Sequence, residues 1–153
     1  MMAKKSLPVS KKERDRIKHN PKNLLLEAAW EVRERAVATY SGFKVGAALM
    51  TADGRIYTGC NIENSTYGLT ICAERVAIFK ALSEGAGPFV KIAVVTESPR
   101  LTPPCGSCRQ LLWEFCGDIE ILMANRQGRQ RRVRLSKLFP EPFEKSFFRP
   151  NDK

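Results

Sequence analysis

The chain has 153 residues, of which 43% are hydrophobic and 27% are charged, a composition typical of a globular protein. That length predicts one domain, long enough to bury roughly two thirds of its surface. No run approaches the roughly 20 apolar residues of a membrane helix, and the basic N-terminus lacks the apolar core of a signal peptide. We therefore expect no membrane contact and a cytoplasmic location.

The formal net charge of +10 lies at the two ends of the chain. Residues 1–20 carry seven Lys/Arg against two acidic side chains, and residues 126–153 carry nine against three. The stretch between them is close to neutral. We interpret residues 1–20 as a flexible basic arm, 21–145 as the functional domain and 146–153 as a tail. Basic flanks are either solvated or attract nucleic acid, but no interleaved aromatic residues support nucleic-acid contact.

Hydrophobic periodicity and turn signals divide the chain into helices and strands. Asn20 and Pro21 suit the start of the first helix, an Asp-Gly turn separates the first two strands, and Gly85 suits the end of the second helix. The order of elements predicts an α/β protein in which helices sandwich a mixed sheet of five strands. The predicted helices cover 20–38, 72–85 and 104–116, with a short helical turn at 135–139, and the predicted strands cover 43–50, 55–62, 90–97, 119–125 and 130–135.

Few residues are available to hold a metal ion. His19 is the only histidine of the chain and lies in the basic arm, so a metal must be bound by cysteine and carboxylate. Cys105-x-x-Cys108 opens a predicted helix, where unpaired N–H groups and the helix dipole favour thiolates. This spacing alone is also typical of thioredoxin-like redox pairs. Cys72 begins another predicted helix, and two helix N-termini that follow strand ends of one sheet can converge at a crevice.

Three converging thiolates predict a zinc ion with an open fourth position. Structural zinc sites close with four protein ligands, whereas catalytic sites keep a position for water and lower its pKa to about 7. Glu74, two residues beyond Cys72, is placed to carry protons for that water. Arg75 either donates hydrogen bonds to the ligand sulfurs or is an ordinary surface charge. Cys60 and Cys116 are expected to be buried structural thiols, although either one as a fourth ligand would make the zinc structural.

Four stretches, taken in order, resemble the small three-cysteine cytidine deaminases, which are homotetrameric zinc nucleoside deaminases. They read YSGFKVGAALM, GCNIENSTYG, ICAER and PPCGSCRQ, and the likeness extends from about Leu24 to Phe143. The resemblance implies a three-layer α/β/α sandwich around a five-stranded mixed sheet. It also implies one zinc ion per subunit on Cys72, Cys105 and Cys108, and a homotetramer with shared active sites.

The resemblance further assigns side chains to the substrate. Asn61 and Glu63 match the positions that bind the ribose hydroxyls, and a carboxylate there discriminates against ligands that lack a hydroxyl. Phe43 matches the residue that stacks near the pyrimidine, and Phe143 matches an aromatic residue that enters the site of a neighbouring subunit. The remaining matches are Ala73 in the substrate site and Tyr40 and Tyr67 at subunit contacts or in the site lining.

The implied reaction is the hydrolytic deamination of cytidine and deoxycytidine to uridine and deoxyuridine with release of ammonia, a step of pyrimidine salvage. Hydroxide on the zinc attacks C4 of the base, and Glu74 moves the protons. Two alternatives stay open. One is a deaminase of another cytosine nucleoside, such as blasticidin S. The other, from a different class, is a nucleic-acid-binding module with structural zinc that uses the basic flanks, including the basic hairpin over 126–134.

Overall fold

The computed structural model describes residues 21–148, so the predicted basic arm and His19 lie outside the described residues. Between residues 21 and 148, no helix is long and apolar enough to span a membrane. The predicted order of helices and strands is confirmed. The helices are α1 (Pro21–Arg33), α2 (Ala73–Ser83), α3 (Gly106–Cys116) and α4 (Leu135–Leu138), the strands are β1 (Val45–Thr51), β2 (Ile56–Cys60), β3 (Phe89–Thr96), β4 (Glu120–Asn125) and β5 (Gln130–Arg134), and two 3₁₀ helices cover Tyr67–Leu69 and Lys145–Phe148.

The five strands form one sheet in the order β2-β1-β3-β4-β5. β1 pairs antiparallel with β2 and with β3, β3 and β4 are parallel, and β4 and β5 are antiparallel. The parallel pair requires a crossover connection, which α3 provides. The prediction of a five-stranded mixed sheet is therefore confirmed.

Helices cover both faces of the sheet, because successive strand residues point to opposite faces. In β1, Ala47 and Leu49 share a core with α2 and α3, whereas Ala48 and Met50 share a core with α1. All four side chains are at most 7% exposed. The three-layer α/β/α arrangement follows from this alternation and is also confirmed.

The first helix is shorter than the sequence predicted. It ends at Arg33 and not at residue 38, because the main chain of Val37 pairs with the segment after β2. The Val37 N–H donates to the Asn61 carbonyl (3.0 Å), and the Glu63 N–H donates to the Val37 carbonyl (2.8 Å). The periodicity of apolar residues does not register such a non-local pairing. The pairing holds the loop after α1 against Glu63, where one wall of the site forms.

The start of α2 lies close against β2 because Gly59 has no side chain. A Cβ atom at Gly59 would overlap the Ala73 carbonyl and lie 2.5 Å from Ala77 N. Glycine in a strand often marks such a close approach of another backbone segment. The N-terminus of α2, and with it Cys72, is therefore held against the sheet.

The basic stretch after residue 125 forms an outer hairpin of the sheet. Its second strand, β5, is an edge strand whose residues are exposed apart from the half-buried Val133. Arg126 pairs with Glu97 (3.2 Å) and Arg134 with Asp118 (3.2 Å), so local carboxylates balance part of the charge. Charged side chains on an edge strand also oppose pairing with the edge of another sheet. The charge of the hairpin thus has a structural explanation within one chain.

Candidate active site

Two helix N-termini bring three cysteine side chains together. Cys72 caps the start of α2 and Cys105 caps the start of α3, both with extended backbone. Cys108 lies in the first turn of α3 and is fully buried. The three Sγ atoms lie within 4.8 Å of one another, and those of Cys72 and Cys105 are 3.9 Å apart. The structure thus places the three predicted ligand residues in one cluster.

The cluster fits a zinc ion. Tetrahedral Zn–S bonds of about 2.3 Å place the sulfurs about 3.8 Å apart, which these thiols reach with small side-chain shifts. Thiolate is also a donor that favours zinc. Among residues 21–148, no further His, Cys, Asp or Glu side chain joins the cluster. Three protein ligands leave a coordination position open, as in catalytic zinc sites.

The two remaining cysteines lie outside the cluster. Cys60 ends β2, and Cys116 is the last residue of α3. Burial raises the pKa of both thiols, to about 12 for Cys116. This is the behaviour of structural thiols, and the alternative of a four-cysteine structural site has no fourth ligand in the described part of the chain.

The surroundings of the cluster favour a thiolate at Cys72. The neighbouring Cys108 thiol, and then the Arg75 guanidinium, lower the pKa of Cys72 to about 5 against the opposing effect of burial. Arg75 Nη2 donates to Cys72 Sγ (3.5 Å) and to the Thr70 carbonyl (3.2 Å). Arg75 Nε is buried without a hydrogen-bond partner among the described residues. Of the two interpretations that the sequence left open, the structure therefore places Arg75 beside the ligand sulfurs, where it donates a hydrogen bond to one of them.

Glu74 is a buried carboxyl group beside the cluster. It lies in the first turn of α2 and is 5% exposed. Burial, together with the charge of the Cys72 thiolate, raises the pKa of Glu74 to about 7. A carboxyl group with a pKa near neutrality can both accept and donate a proton at physiological pH.

Cys72, Cys105 and Glu74 open onto one cavity of about 290 Å³. This volume is close to the lower end of the range for small-ligand sites, which begins at about 300 Å³. Four predicted substrate residues, Phe43, Asn61, Glu63 and Ala73, line the cavity with them. The remaining lining residues are Ser41, Val45, Thr70, Ile71, Val94, Thr102 and Pro103.

Glu63 is an ionised carboxylate fixed by the loop after α1. Its Oε2 accepts from the N–H groups of Tyr40 (2.7 Å) and Ser41 (3.1 Å), and its Oε1 accepts from the Ser41 hydroxyl. The Ser41 hydroxyl, and then these two N–H groups, lower the pKa of Glu63. A fixed anion of this kind can accept hydrogen bonds from the hydroxyl groups of a ligand.

Asn61 braces the segment that leads from Phe43 into β1. Its Oδ1 accepts from the Val45 N–H (2.8 Å), and its Nδ2 donates to the Phe43 carbonyl (2.9 Å). Its second amide hydrogen has no partner among the described residues, which leaves one donor for a ligand. Asn61 therefore positions the aromatic wall of the cavity and offers it a polar group.

Comparison with known proteins places this arrangement in a family. Residues 19–124 match the family described as the cytidine and deoxycytidylate deaminase zinc-binding region. The chain is 47% identical to a cytidine deaminase of Halalkalibacterium halodurans over 80% of this chain and 93% of that protein. It is 46% identical to one of Sporosarcina psychrophila over 79% of this chain and 90% of that protein. The crystal structure of a cytidine deaminase from Burkholderia pseudomallei matches with a TM-score of 0.77 at 47% identity, over 80% of this chain and 98% of that chain. The chain belongs to the cytidine deaminase family.

Membership of the cytidine deaminase family settles several predictions made from the sequence. The family, the fold, the zinc cofactor and the class of enzyme are confirmed. The alternative of a nucleic-acid-binding module with structural zinc finds no support, since three thiols and no fourth ligand form the cluster among residues 21–148.

Three aromatic residues that the cytidine deaminase resemblance singled out lie at or beyond the mouth of the cavity. Phe143 does not line the cavity and is 55% exposed. Tyr40 and Tyr67 meet edge to face, with ring centroids 5.7 Å apart, beside an adjoining depression that reaches Glu63. Within one copy of the chain, Tyr40 and Tyr67 thus lie beside the site, and Phe143 lies outside its lining.

Sequence reasoning missed two parts of the lining. Ser41 belongs to the stretch YSGFKVGAALM, but nothing in that stretch indicates that its hydroxyl pairs with Glu63. Thr102 and Pro103 also line the cavity, and the Thr102 hydroxyl is 3.0 Å from that of Thr96 at the end of β3. Their position just before Pro104 and Cys105 was a usable signal, because residues next to a ligand loop face the same crevice.

Proposed function

We propose that the protein hydrolyses cytidine and deoxycytidine to uridine and deoxyuridine and releases ammonia, as a step of pyrimidine salvage. The observation that carries this proposal is the shared cavity wall formed by Cys72, Cys105 and the buried Glu74. An activated nucleophile and a proton carrier would meet the same bound molecule there. The similarity to curated cytidine deaminases supports cytidine as the substrate.

Cys72, Cys105 and Cys108 hold the zinc ion in this proposal, with one ion per subunit. When bound, zinc supplies a Lewis acid that makes water available as a nucleophile near neutral pH. Three thiolates carry more negative charge than the ion neutralises. The N-termini of α2 and α3 offset part of this excess, and Arg75 withdraws more through its hydrogen bond to Cys72 Sγ.

Glu74 moves the protons. Because its pKa is raised to about 7, it is suited to hold and release a proton near neutral pH. It accepts a proton from the attacking water and donates one to N3 of the base as the C4–O bond forms. It then takes the proton of the new hydroxyl group and delivers it to the amine on C4. The C4–N bond breaks, ammonia leaves, and one water is consumed.

Glu63 and Asn61 bind the sugar at the other wall of the cavity. Support comes from Glu63, which is held in place by Ser41 and has an acceptor position to spare. A hydrogen bond from a sugar hydroxyl to an ionised carboxylate is strong and selects for that hydroxyl. Phe43 lies against the pyrimidine, and Ala73 contacts the base.

We further propose that the protein acts as a homotetramer in which neighbouring subunits complete each other's sites, with Phe143 reaching the next subunit. A rim of exposed apolar side chains around the cavity supports this, because surfaces of this kind mark protein contacts. The mass of the zinc-loaded protein in solution tests it, with four copies expected. A monomer that retains full activity would contradict the shared sites. The rim comprises Val37, Tyr40, Phe43, Ile62, Tyr67 and Leu69, each between 43% and 75% exposed.

The proposal assigns catalysis to residues 21–145, with the arm before it and the tail over residues 146–153 outside the reaction. It places the enzyme in the cytoplasm, since the three cysteines of the cluster must stay reduced to bind zinc and reducing compartments maintain thiols.

The direct test is an ammonia-release assay of the zinc-loaded protein on cytidine, deoxycytidine, free cytosine, blasticidin S and a short cytosine-containing oligonucleotide. We expect kcat/KM for the two nucleosides to exceed that for the other compounds by roughly tenfold or more, since the sugar contacts discriminate. Protein with one zinc per chain that releases no ammonia from either nucleoside would contradict the proposal. Faster turnover of blasticidin S or of the oligonucleotide would identify that compound, and not cytidine, as the preferred substrate.

A further inference from the structure

One side chain of the metal-ligand helix pairs with both main-chain groups of Phe143. Gln110 lies on α3, two residues after Cys108. Its Nε2 donates to the Phe143 carbonyl (2.8 Å), and its Oε1 accepts from the Phe143 N–H (3.2 Å). No main-chain group in residues 21–148 bonds to either of these Phe143 groups. The position of the Phe143 backbone therefore depends on the amide of Gln110.

The preceding residue of α3 fixes the same segment at an earlier point. Arg109 Nη1 donates to the Leu138 carbonyl (2.8 Å), and Arg109 Nε donates to the Pro104 carbonyl (2.7 Å) next to the ligand loop. Between Leu138 and Phe143 the chain contains Pro140 and Pro142, whose rings restrict the backbone. The stretch that leads to Phe143 is thus short, stiff and anchored at both ends on the start of α3.

One turn further along α3, Trp113 holds the residue after Phe143. Trp113 Nε1 donates to Glu144 Oε1 (2.8 Å). Side chains three residues apart lie on the same face of a helix, so Gln110 and Trp113 form one docking face for the segment. The segment is held at successive points, and its register along the helix is defined.

The ring of Phe143 is nevertheless turned outward. It stacks on Phe147 (5.4 Å between centroids) and meets Phe148 edge to face (5.2 Å). The three phenylalanines are 55%, 66% and 73% exposed. A backbone held so firmly beneath such an exposed ring presents that ring to another molecule, because burying the ring within the chain would need no such anchoring.

We propose that Gln110 is a positioning residue of the deaminase, which holds Phe143 in the orientation that closes the nucleoside site of a second copy of the chain. This inference rests on the function proposed above. Because Gln110 follows the ligand Cys108 on one rigid helix, the aromatic segment keeps a set position relative to the zinc cluster. A segment released from α3 has to be ordered when substrate binds, and that ordering weakens binding.

The test removes the amide and keeps the length of the side chain. Gln110→Met loses both hydrogen bonds to Phe143 and remains a good helix former. We expect KM for cytidine to rise about tenfold, which corresponds to about 1.4 kcal/mol, with kcat within about twofold and zinc content unchanged. Gln110→Glu keeps an acceptor for the Phe143 N–H but places a second acceptor against the Phe143 carbonyl, so its KM should also exceed that of the parent.

A double-mutant cycle separates positioning from a merely structural role. If Gln110 acts through Phe143, Gln110→Met should change KM by less than about twofold in a Phe143→Ala background. Equal increases of KM in both backgrounds would overturn the proposal. Glu114→Gln is the matched control on the same helix, because it removes an ion pair with the exposed Lys145 (2.8 Å) and should leave KM unchanged.

The outcomes distinguish this inference from the proposed function. An unaltered, zinc-loaded protein that releases no ammonia from cytidine would contradict the function itself. If the parent enzyme is active but Gln110→Met leaves KM unchanged, the role of Gln110 alone is contradicted. The same conclusion follows if Gln110→Met loses zinc or lowers kcat and does not raise KM.

Discussion

The two ends of the cavity are built in different ways. At the metal end, Cys108 is fully buried and Glu74 is 5% exposed, and both lie in the first turns of helices that pack on the sheet. At the opposite end, the proposed sugar end, Glu63 is partly exposed, and Tyr40 beside it is 52% exposed on a loop. The three thiols and Glu74 of the metal end come from one copy of the chain, whereas the proposed sugar end exposes apolar surface.

Two glutamates show what this difference does to the same side chain. Burial raises the pKa of Glu74 to about 7, whereas hydrogen bonds from Ser41 and Tyr40 lower the pKa of Glu63. Near neutral pH, Glu74 is thus divided between its protonated and ionised forms, while Glu63 stays ionised. When their environments shift the pKa values of two carboxyl groups in opposite directions, one group is suited to carry protons and the other to act as a fixed acceptor.

The largest effect is expected at the buried ligand of the metal end. Cys108→Ala removes one of three thiols, so the zinc loses a bond that water replaces poorly. We expect loss of stoichiometric zinc, measured by metal analysis of the purified protein, and activity reduced to background. Full zinc occupancy in this variant would show that the cluster is not the metal site.

Cys116→Ala is the matched control, because Cys116 is a thiol at the far end of the same helix. It should keep its zinc and its activity and lose about 1 kcal/mol of stability. Cys60→Ala should behave in the same way. Loss of zinc from either variant would mean that the site has a fourth cysteine ligand and would remove the case for an open position.

The next effect in size is expected at Glu74. Glu74→Gln keeps the shape of the side chain but cannot accept and return a proton. We expect kcat to fall by at least about 10²-fold with zinc content unchanged, since general acid–base groups contribute about 10²–10⁴-fold. Metal analysis and steady-state kinetics on the same sample make the measurement. A zinc-loaded variant with near-normal turnover would refute proton transfer by Glu74.

A smaller effect is expected at the sugar end. Glu63→Gln replaces a charged acceptor by a neutral one, and a hydrogen bond to a charged group is worth about 1.5–3 kcal/mol. We expect KM for cytidine to rise roughly tenfold or more, with kcat little changed. Turnover of free cytosine, which has no sugar, should not respond. A fall in kcat without a change in KM would show that Glu63 acts in the chemical step and not in substrate recognition.

The smallest effect on the reaction itself is expected at Gly59, where the packing of the metal end can be tested without changing a polar side chain. Gly59→Ala adds a methyl group against the Ala73 carbonyl and Ala77 N, so we expect a loss of about 1–3 kcal/mol in the free energy of unfolding. Gly68→Ala is the control, because a Cβ atom there meets nothing within 4 Å. Chemical denaturation compares the two. Equal stability would show that the start of α2 is not packed as described.

Features set by local patterns were predicted well. The alternation of apolar residues in β1 and the positions of Cys72 and Cys105 before two helices can be read along the chain. The end of α1 was predicted wrongly, because Val37 takes its hydrogen-bond partners from Asn61 and Glu63. No periodicity within residues 20–38 contains that information.

The sequence by itself determined the fold class and the zinc donors and predicted proton transfer at Glu74, because the residue types, the faces of helices and strands, and the positions of Cys72 and Cys105 before two predicted helices can be read along the chain. The tertiary structure alone decided how Glu63 is held by Tyr40 and Ser41, and how Gln110 anchors Phe143. The partners in these contacts lie 22 to 33 residues apart. Which distant groups meet is fixed by the path of the chain between them, and a hydrogen bond across such a distance leaves no periodic trace in either segment.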